Sequence, residues 1–496
     1  MTSVSFDTIT SGIRTNTNHA EFDTSREVVG VQDRPTKILL MGIRLTTGTV
    51  AELTPKQILS GAQAEGYFGV GSQLAEMCRI AKRNNSQTEM WACAINENAS
   101  GTKGTKTITV TGTAGATKSI NLYIEGGFYI PVSVTSGDAQ NAMAAAINTA
   151  IQGHAQYARM PFVSTVATNV VTLTMKWKGV EVADARVNYN AGDDDVPGVT
   201  LTIANGVSGA GNPDVNSILG AIGDVTWFDK IANPWTDATN LTALEQELLD
   251  RWGGMRQIDG VAFAASVGSH GTASTLGASR NSAFTVIMGA NLSPSPSWLW
   301  AAAACAAVAG QSGDPALPLQ TVPLLGIYPA QSKDQWGDAD RNLLLHTGIA
   351  THRVDASGLV TLERMVTTYQ RNAQGVLDTS LLDLETVLTA SAIRYDGNTS
   401  IALRYARYKL AKDPVNGQQL PPGQPILTPA GMKGFLAGRY DIWASEGWVE
   451  IGSKQQFLDE LICDIDPSDV NRLVCQAGPD FVNQFRGISI KWSFIV

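Results

Sequence analysis

The chain has 496 residues, 44% of them hydrophobic, which excludes a disordered polypeptide and allows about three domains. A formal net charge of −9 argues against a nucleic-acid groove or an anionic membrane surface as the main partner, and leaves protein. Cys78, Cys93, Cys305, Cys463 and Cys475 are odd in number and widely spaced, without a Cys-x-x-Cys pair, so the sequence predicts reduced thiols and no zinc site.

The first residues, Met1–Asp7, lack the basic and apolar blocks of a secretory signal. Residues 1–25 are polar, with isolated apolar positions at Val4, Phe6, Ile9, Ile13 and Phe22, a composition that suits an arm better than a core. From Thr36 an α/β pattern sets in. Lys37–Gly42 reads as a buried strand, a helix begins near Ser72 with Leu74, Met77, Cys78 and Ala81 at helical spacing, and Glu89–Ile95 is the next strand. Gly66-Tyr-Phe-Gly-Val-Gly-Ser72 places glycines before a helix amino terminus, where phosphate can be cradled. No Gly-Lys-Ser/Thr follows, so a loop-to-helix turn is the preferred reading.

At Asn96–Lys106 the composition shifts to Asn, Ser, Gly, Thr and Lys, and a β-rich unit follows. Its predicted strands are Lys106–Val110, Ser119–Ile124, Tyr129–Val134, Val170–Trp177 and Thr200–Ile203, with a helix over Asp138–Gln152. Asp193-Asp-Asp195 lacks the glycine and distal glutamate of a calcium loop and reads as a solvated loop. Polar, Gly-rich joints at both ends mark residues 98–205 as a domain inserted into an α/β unit of residues 26–97 and 206–325.

The α/β pattern resumes with a strand at Val225–Ala232 and a helix over Leu241–Trp252, capped by Asn240 and stopped by Gly253 and Gly254. A strand at Gly260–Ala265 follows. Trp298–Gly310 is apolar but well short of the roughly 20 residues that span a bilayer, so it reads as a buried helix begun by Pro296 and Ser297. A last domain is assigned to residues 326–487, with helices near Asp338–Thr347 and Ser380–Arg394. The final run, Gly487–Val496, alternates, putting Ile488, Ile490, Trp492 and Phe494 on one face of a strand. An apolar end docks either on its own domain, the commoner case, or on the open sheet edge of a neighbour.

Motifs for catalysis are not found. His19, His154, His270, His346 and His352 include no pair at ligand spacing, and neither serine nor cysteine sits in a nucleophile signature. No catalytic residue, cofactor or metal is predicted.

Asp237–Trp252, Ser279–Ser282, Ser295–Trp298 and Asp314–Thr321 resemble the contractile-tail sheath proteins of Mu-like bacteriophages. The densest match is Arg341–Leu345, Gly358–Gln370, Leu381–Thr386 and Lys409–Asp413; Asn471–Leu473, Phe481–Arg486 and Ala20–Ser25 look like the same family. The resemblance implies a multidomain fold, α/β and α+β, in which a tail-sheath core carries the β-rich insertion outward. It also implies extended strand-exchange arms at residues 1–25 and 488–496. Strands would be exchanged between subunits through Ala20, Glu21, Phe22, Asp23 and Thr24, and through Ile488, Ile490, Trp492 and Phe494. Residues 326–487 would face the tail tube, with Asp466, Asp469, Arg472 and Arg486 as candidate contacts.

The partners implied are further copies in a helical sheath, the tail tube, baseplate and tail terminator proteins. Neither nucleic acid nor direct membrane insertion is expected. The protein is expected in the virion, after assembly in the host bacterial cytoplasm. Two other readings stay open: the sheath of a tail-derived bacteriocin or secretion device, and a nucleotide-binding enzyme using Gly66–Ser72.

Overall fold

The computed structural model describes residues 18, 20, 30–415, 418, 420, 421 and 423–494. They form two compact units. One comprises Arg34–Arg394 with the segment from Asp480 onward; the other comprises the described residues up to Asp33 with Tyr395–Pro479.

The larger unit starts with β1 (Lys37–Ile43), apolar and buried from Ile38 onward. After β2 (Lys56–Gln57), helices α1 (Gly61–Phe68) and α2 (Gln73–Asn84) lead to β3 (Glu89–Ile95). Each helix is started by a serine: the Ser60 hydroxyl accepts from Gln63 N and the Ser72 hydroxyl from Ala75 N. Such a cap is worth about 0.5–2 kcal/mol.

The chain then builds the insertion. It comprises β4 (Thr105–Gly112), β5 (Lys118–Ile124), β6 (Phe128–Val134), α3 (Gln140–Gln152), β7 (Phe162–Ala167), β8 (Val170–Met175), β9 (Val187–Tyr189) and β10 (Val199–Asn205). Two antiparallel sheets result, in the orders β10-β4-β8-β7 and β6-β5-β9. Strict alternation in β6 buries Phe128, Ile130, Val132 and Val134, and Met143, Ile147 and Ile151 of α3 are buried with them.

After the insertion come α4 (Val215–Ile222), β11 (Lys230–Ala232), α5 (Ala238–Trp252), β12 (Val261–Val267), α6 (His270–Ala278) and β13 (Thr285–Asn291). Next are α7 (Ser297–Ala309), α8 (Asp338–His346), β14 (Ile349–Val354) and β15 (Val360–Arg364). They complete a sheet of order β15-β14-β13-β12-β11-β1-β3-β2, parallel except at its two edge strands. Central parallel strands are covered on both faces, which is why β13 is buried at every residue. All of α7 is buried as well, and its alanines let β11, β12, β13 and α2 approach closely.

Several expectations shift. Asp237, not Asn240, caps α5: its carboxylate accepts from Asn240 N at 3.1 Å, while the buried Asn240 side chain accepts from Val215 N and donates to Pro213 O. The predicted strand Val225–Ala232 shrinks to Lys230–Ala232. The border drawn at residues 325/326 falls inside the large sheet, because β14 pairs with β13 through Ile287–Ile349 and Met288–Ala350 and β15 folds back on β14. The insertion also shares a continuous hydrophobic core with the α/β part. Trp177 meets Trp298 edge to face at 5.6 Å, and Arg159 pairs with Glu65 at 2.7 Å.

The helix α9 (Leu384–Tyr405) carries residues of both units, the second beginning at Tyr395. The smaller unit continues with β16 (Lys409–Leu410), β17 (Ile426–Leu427), α10 (Pro429–Ser445), α11 (Lys454–Glu460), β18 (Ile462–Ile465) and β19 (Leu473–Gln476). Its polar hub is Asp396, fully buried, whose carboxylate accepts from Arg439 Nε at 3.0 Å, Trp443 Nε1 at 2.6 Å and Gln32 N at 2.7 Å. Four charge-assisted contacts on one carboxylate, counting Arg439 Nη2, fix the entering segment Gly30–Gln32 to α9 and α10.

Candidate assembly surfaces

The last described segment is held at one point and bare beyond it. Arg486 Nη2 donates to Asp383 at 3.1 Å and to Glu385 at 3.0 Å, and Glu385, itself fully buried, also accepts from Leu319 N at 3.0 Å. Asp383 is shared with Arg364 at 2.9 Å. Past this anchor Ile488, Ile490, Trp492 and Phe494 are 72%, 56%, 86% and 87% exposed, and the backbone from Val482 to Phe494 joins no sheet. Their own domain therefore does not cover them. Burying a large apolar side chain is worth about 1.5–3 kcal/mol, so this strip is a strong candidate for covering by another chain.

Of the candidate residues at the amino-terminal end, Ala20 is exposed and in no regular element. Glu21, Phe22, Asp23 and Thr24 lie outside the described residues.

The four candidate tube contacts fall in two different units. Asp466, Asp469 and Arg472 belong to the smaller unit, in the turn between β18 and β19, whereas Arg486 belongs to the larger. The turn uses the two aspartates itself. Asp466 accepts from Ser468 N at 2.8 Å and Ser468 Oγ at 2.6 Å, and Asp469 accepts from Asn471 N at 3.0 Å. The Ser468 hydroxyl, followed by backbone N–H groups, holds the Asp466 carboxyl below its ordinary range. Arg472, 3.9 Å from Asp466, keeps a side chain 68% exposed. Arg486 is an internal anchor, its charge met by Asp383 and Glu385. The Leu381–Thr386 stretch held the signal for this: two carboxylates set among leucines need a buried cation.

The glycine loop before α2 is closed. Gly69 and Gly71 take positive φ, 92° and 72°, and a Cβ at Gly71 would lie 2.5 Å from Ala158 O and from Lys176 Nζ. Ser72 and Gln73 are fully buried, with Gln73 Oε1 accepting from Ile43 N at 3.0 Å. The insertion thus seals the end of α2 where a phosphate would sit. The acidic run is structural too: Asp194 accepts from Asn121 N and Nδ2, and Lys118 Nζ clips the carbonyls of Asp193 and Asp195. His352 is buried with Nδ1 2.9 Å from Gly289 O, and burial pushes its pKa down to about 4. Among the described residues no group of His, Cys, Asp and Glu side chains is arranged to hold a metal ion, and no helix is long and apolar enough to cross a membrane.

A closed glycine loop and an uncovered apolar strip fit a subunit of an assembly. Residues 208–368 match the family described as the phage tail sheath protein central domain. Over its whole length the chain is 35% identical to the Mu-like prophage FluMu tail sheath protein of Haemophilus influenzae, covering 100% of both chains. The chain belongs to the contractile-tail sheath proteins of the Mu-like phages and prophages. Among solved structures, a sheath tail protein of Listeria innocua overlays at a TM-score of 0.48 with 11% identity, covering 92% of this chain and 94% of that one. The anti-feeding prophage helical sheath in its contracted state overlays at 0.46, also with 11% identity, covering 98% and 99%. At these scores neither likeness carries an argument; membership rests on the Haemophilus relative.

Proposed function

We propose that this subunit polymerises into a helical sleeve around a tail tube, and that contraction of the sleeve drives the tube through the host envelope. The observation that carries the reading is the strip Ile488, Ile490, Trp492 and Phe494, apolar at alternate positions, exposed, and rooted at Arg486. Such a strand is made to be added to a sheet of a neighbouring copy. Two sheets in the smaller unit offer receiving edges, since β16–β17 and β18–β19 each contain two strands among the described residues.

Ordering an arm costs about 1–2 kcal/mol per residue, against about 0.5–1.5 net per hydrogen bond and about 1.5–3 per large apolar side chain buried. One arm alone is marginal. Two arms per subunit, at residues 1–25 and 488–496, engage different neighbours, so leaving the lattice requires several contacts to break together. Contraction on this reading is rigid-body rotation and repacking of subunits, without an active site. Tail tube, baseplate and terminator proteins are the partners in that cycle, and the virion tail, assembled in host cytoplasm, is its location.

Deleting Gly487–Val496 tests the reading. The truncated chain should be folded by circular dichroism and monomeric by sedimentation, with no sleeves by electron microscopy. Sleeve formation by the folded truncation would refute strand exchange through this segment.

A further inference from the structure

Two cysteines on the adjacent strands of one hairpin face each other in the smaller unit. β18 and β19 pair antiparallel with Cys463 opposite Cys475. Further along the ladder Asp466 N donates to Arg472 O at 2.8 Å, which makes Asp466–Arg472 a hydrogen-bonded pair. Bonded and unbonded pairs alternate, so three steps back Cys463–Cys475 is an unbonded pair, the kind in which opposed side chains lie closest and Cα atoms are about 4.5 Å apart. A disulfide spans Cα separations of about 4.4–6.8 Å. The Cys463 thiol is near enough to Cys475 to act on its ionisation. Cys78, Cys93 and Cys305, by contrast, are fully buried in the other unit.

We propose that Cys463 and Cys475 form a disulfide-forming site that covalently closes the β18–β19 hairpin. The oxidant is a low-molecular-weight disulfide. Cys475 is exposed and Cys463 only 6% exposed, so the order of events is set by access. The Cys475 thiolate attacks the small disulfide, forming a mixed disulfide and expelling one small thiolate. The Cys463 thiolate then attacks the Cys475 sulfur and expels the second. Two protein thiols are oxidised, the small disulfide is reduced to two thiols, and the two protein protons end on those leaving thiolates. Burial first, and the neighbouring Cys463 thiol next, push the Cys475 thiol up to about 12, while Lys433 on α10 pulls the other way. Thiolate is therefore scarce at neutral pH, and the exchange accelerates as pH rises.

Closure fixes the face that the hairpin presents. Cys463, Ile465, Leu473 and Cys475 share one side of the two strands, and Ile462 and Val474, 56% and 39% exposed, share the other. A slip of one residue would exchange the two sides. The bond forbids that slip.

The test uses the purified full-length chain, reduced and then incubated with oxidised glutathione at mildly alkaline pH. Five thiols titrate after denaturation of the reduced protein, and three are expected after oxidation. Trypsin cleaves after Lys454, Arg472 and Arg486, so a non-reducing digest should hold peptides Gln455–Arg472 and Leu473–Arg486 joined to each other and released by reduction. C463S should stop at a glutathione adduct on Cys475, and C475S should stay unmodified. Retention of five thiols, a wild-type chain that stops at the glutathione adduct, or a Cys475–Cys475 link between two copies would each overturn the proposal. The wild-type peptide map decides the matter even if a variant misfolds.

Discussion

Glu125 sits in the β5–β6 turn with φ of 51°, buried next to Glu76, Arg79 and Lys176. Burial first, and the Glu76 carboxylate next, push its carboxyl up to about 8. Burial likewise raises Glu181 to about 8 and Asp184 to about 6. The folded chain holds these protons while the unfolded chain releases them at ordinary carboxyl values. For Glu125 and Glu181, between about pH 4.5 and 8, the unfolded state therefore binds fewer protons, and each lowers stability as pH rises; Asp184 does so only up to about pH 6. Glu125→Gln removes one of them. The variant should gain on the wild type across that window, by up to about 1.4 kcal/mol per pH unit, in thermal melts from pH 5 to 8. A difference between the two proteins that stays constant with pH would show that Glu125 ionises normally. A lone glutamate before two glycines in a strand-rich region gave no hint of this burial, because it comes from α2, far away in sequence.

The insertion is bound to its host by specific elements. Its Trp177 covers Trp298 at the start of α7, its Ala158 and Lys176 close over Gly71 before α2, and its β5–β6 turn lies against Tyr328. Composition alone suggests that residues 98–205 can be excised as a decoration; the shared core predicts otherwise. Joining Asn96 to Gly206 by a short Gly/Ser linker should uncover Trp298 and the end of α2 and cost several kcal/mol, with about 3–5 expected for the loss of one buried tryptophan's packing. Soluble yield and the urea midpoint measure it, and a truncated chain that unfolds at the wild-type midpoint would show the contacts to be dispensable.

The same elements show what patterning conveys. β1, β3, β5, β6, α2 and α7 were legible because their apolar residues follow a single period or an unbroken run between clear stops. α10 was not: Gly431, Gly434 and Gly438 break the helical pattern, and it persists because Met432, Leu436, Tyr440 and Trp443 are buried. In the candidate site, the sequence alternation at Ile488, Ile490, Trp492 and Phe494 predicts a strand, but within the described chain this stretch joins no sheet and is exposed throughout. The Arg486 anchor was half legible: Asp383 and Glu385 among leucines call for a cation, but nothing local says that it comes from about a hundred residues later.

On the scale of the whole molecule, the proposed strand exchange would link subunits through the two chain ends. Thr10–Asn18 lies mostly outside the described residues, and its polar, turn-poor sequence suits a tether. Adding two or three residues there should allow extended sleeves to form but weaken contraction, because slack would absorb the domain motion before it reaches the next subunit. Normal contraction after baseplate triggering, seen by microscopy, would rule the tether out as a mechanical link. At the other end the Arg486 anchor imposes a distance. Phe494, the last of the four exposed apolar residues, lies eight residues beyond Arg486, and an extended chain advances at most about 3.3–3.6 Å per residue. Phe494 can therefore sit at most about 26–29 Å from Arg486. If the strip is exchanged as proposed, the edge that receives Phe494 must stay within that radius of Arg486 in extended and contracted sleeves alike. Subunits joined in this way would be free to swing around one another but not to part, and the radius would cap how far contraction could shear neighbours before the wall of the sleeve tore.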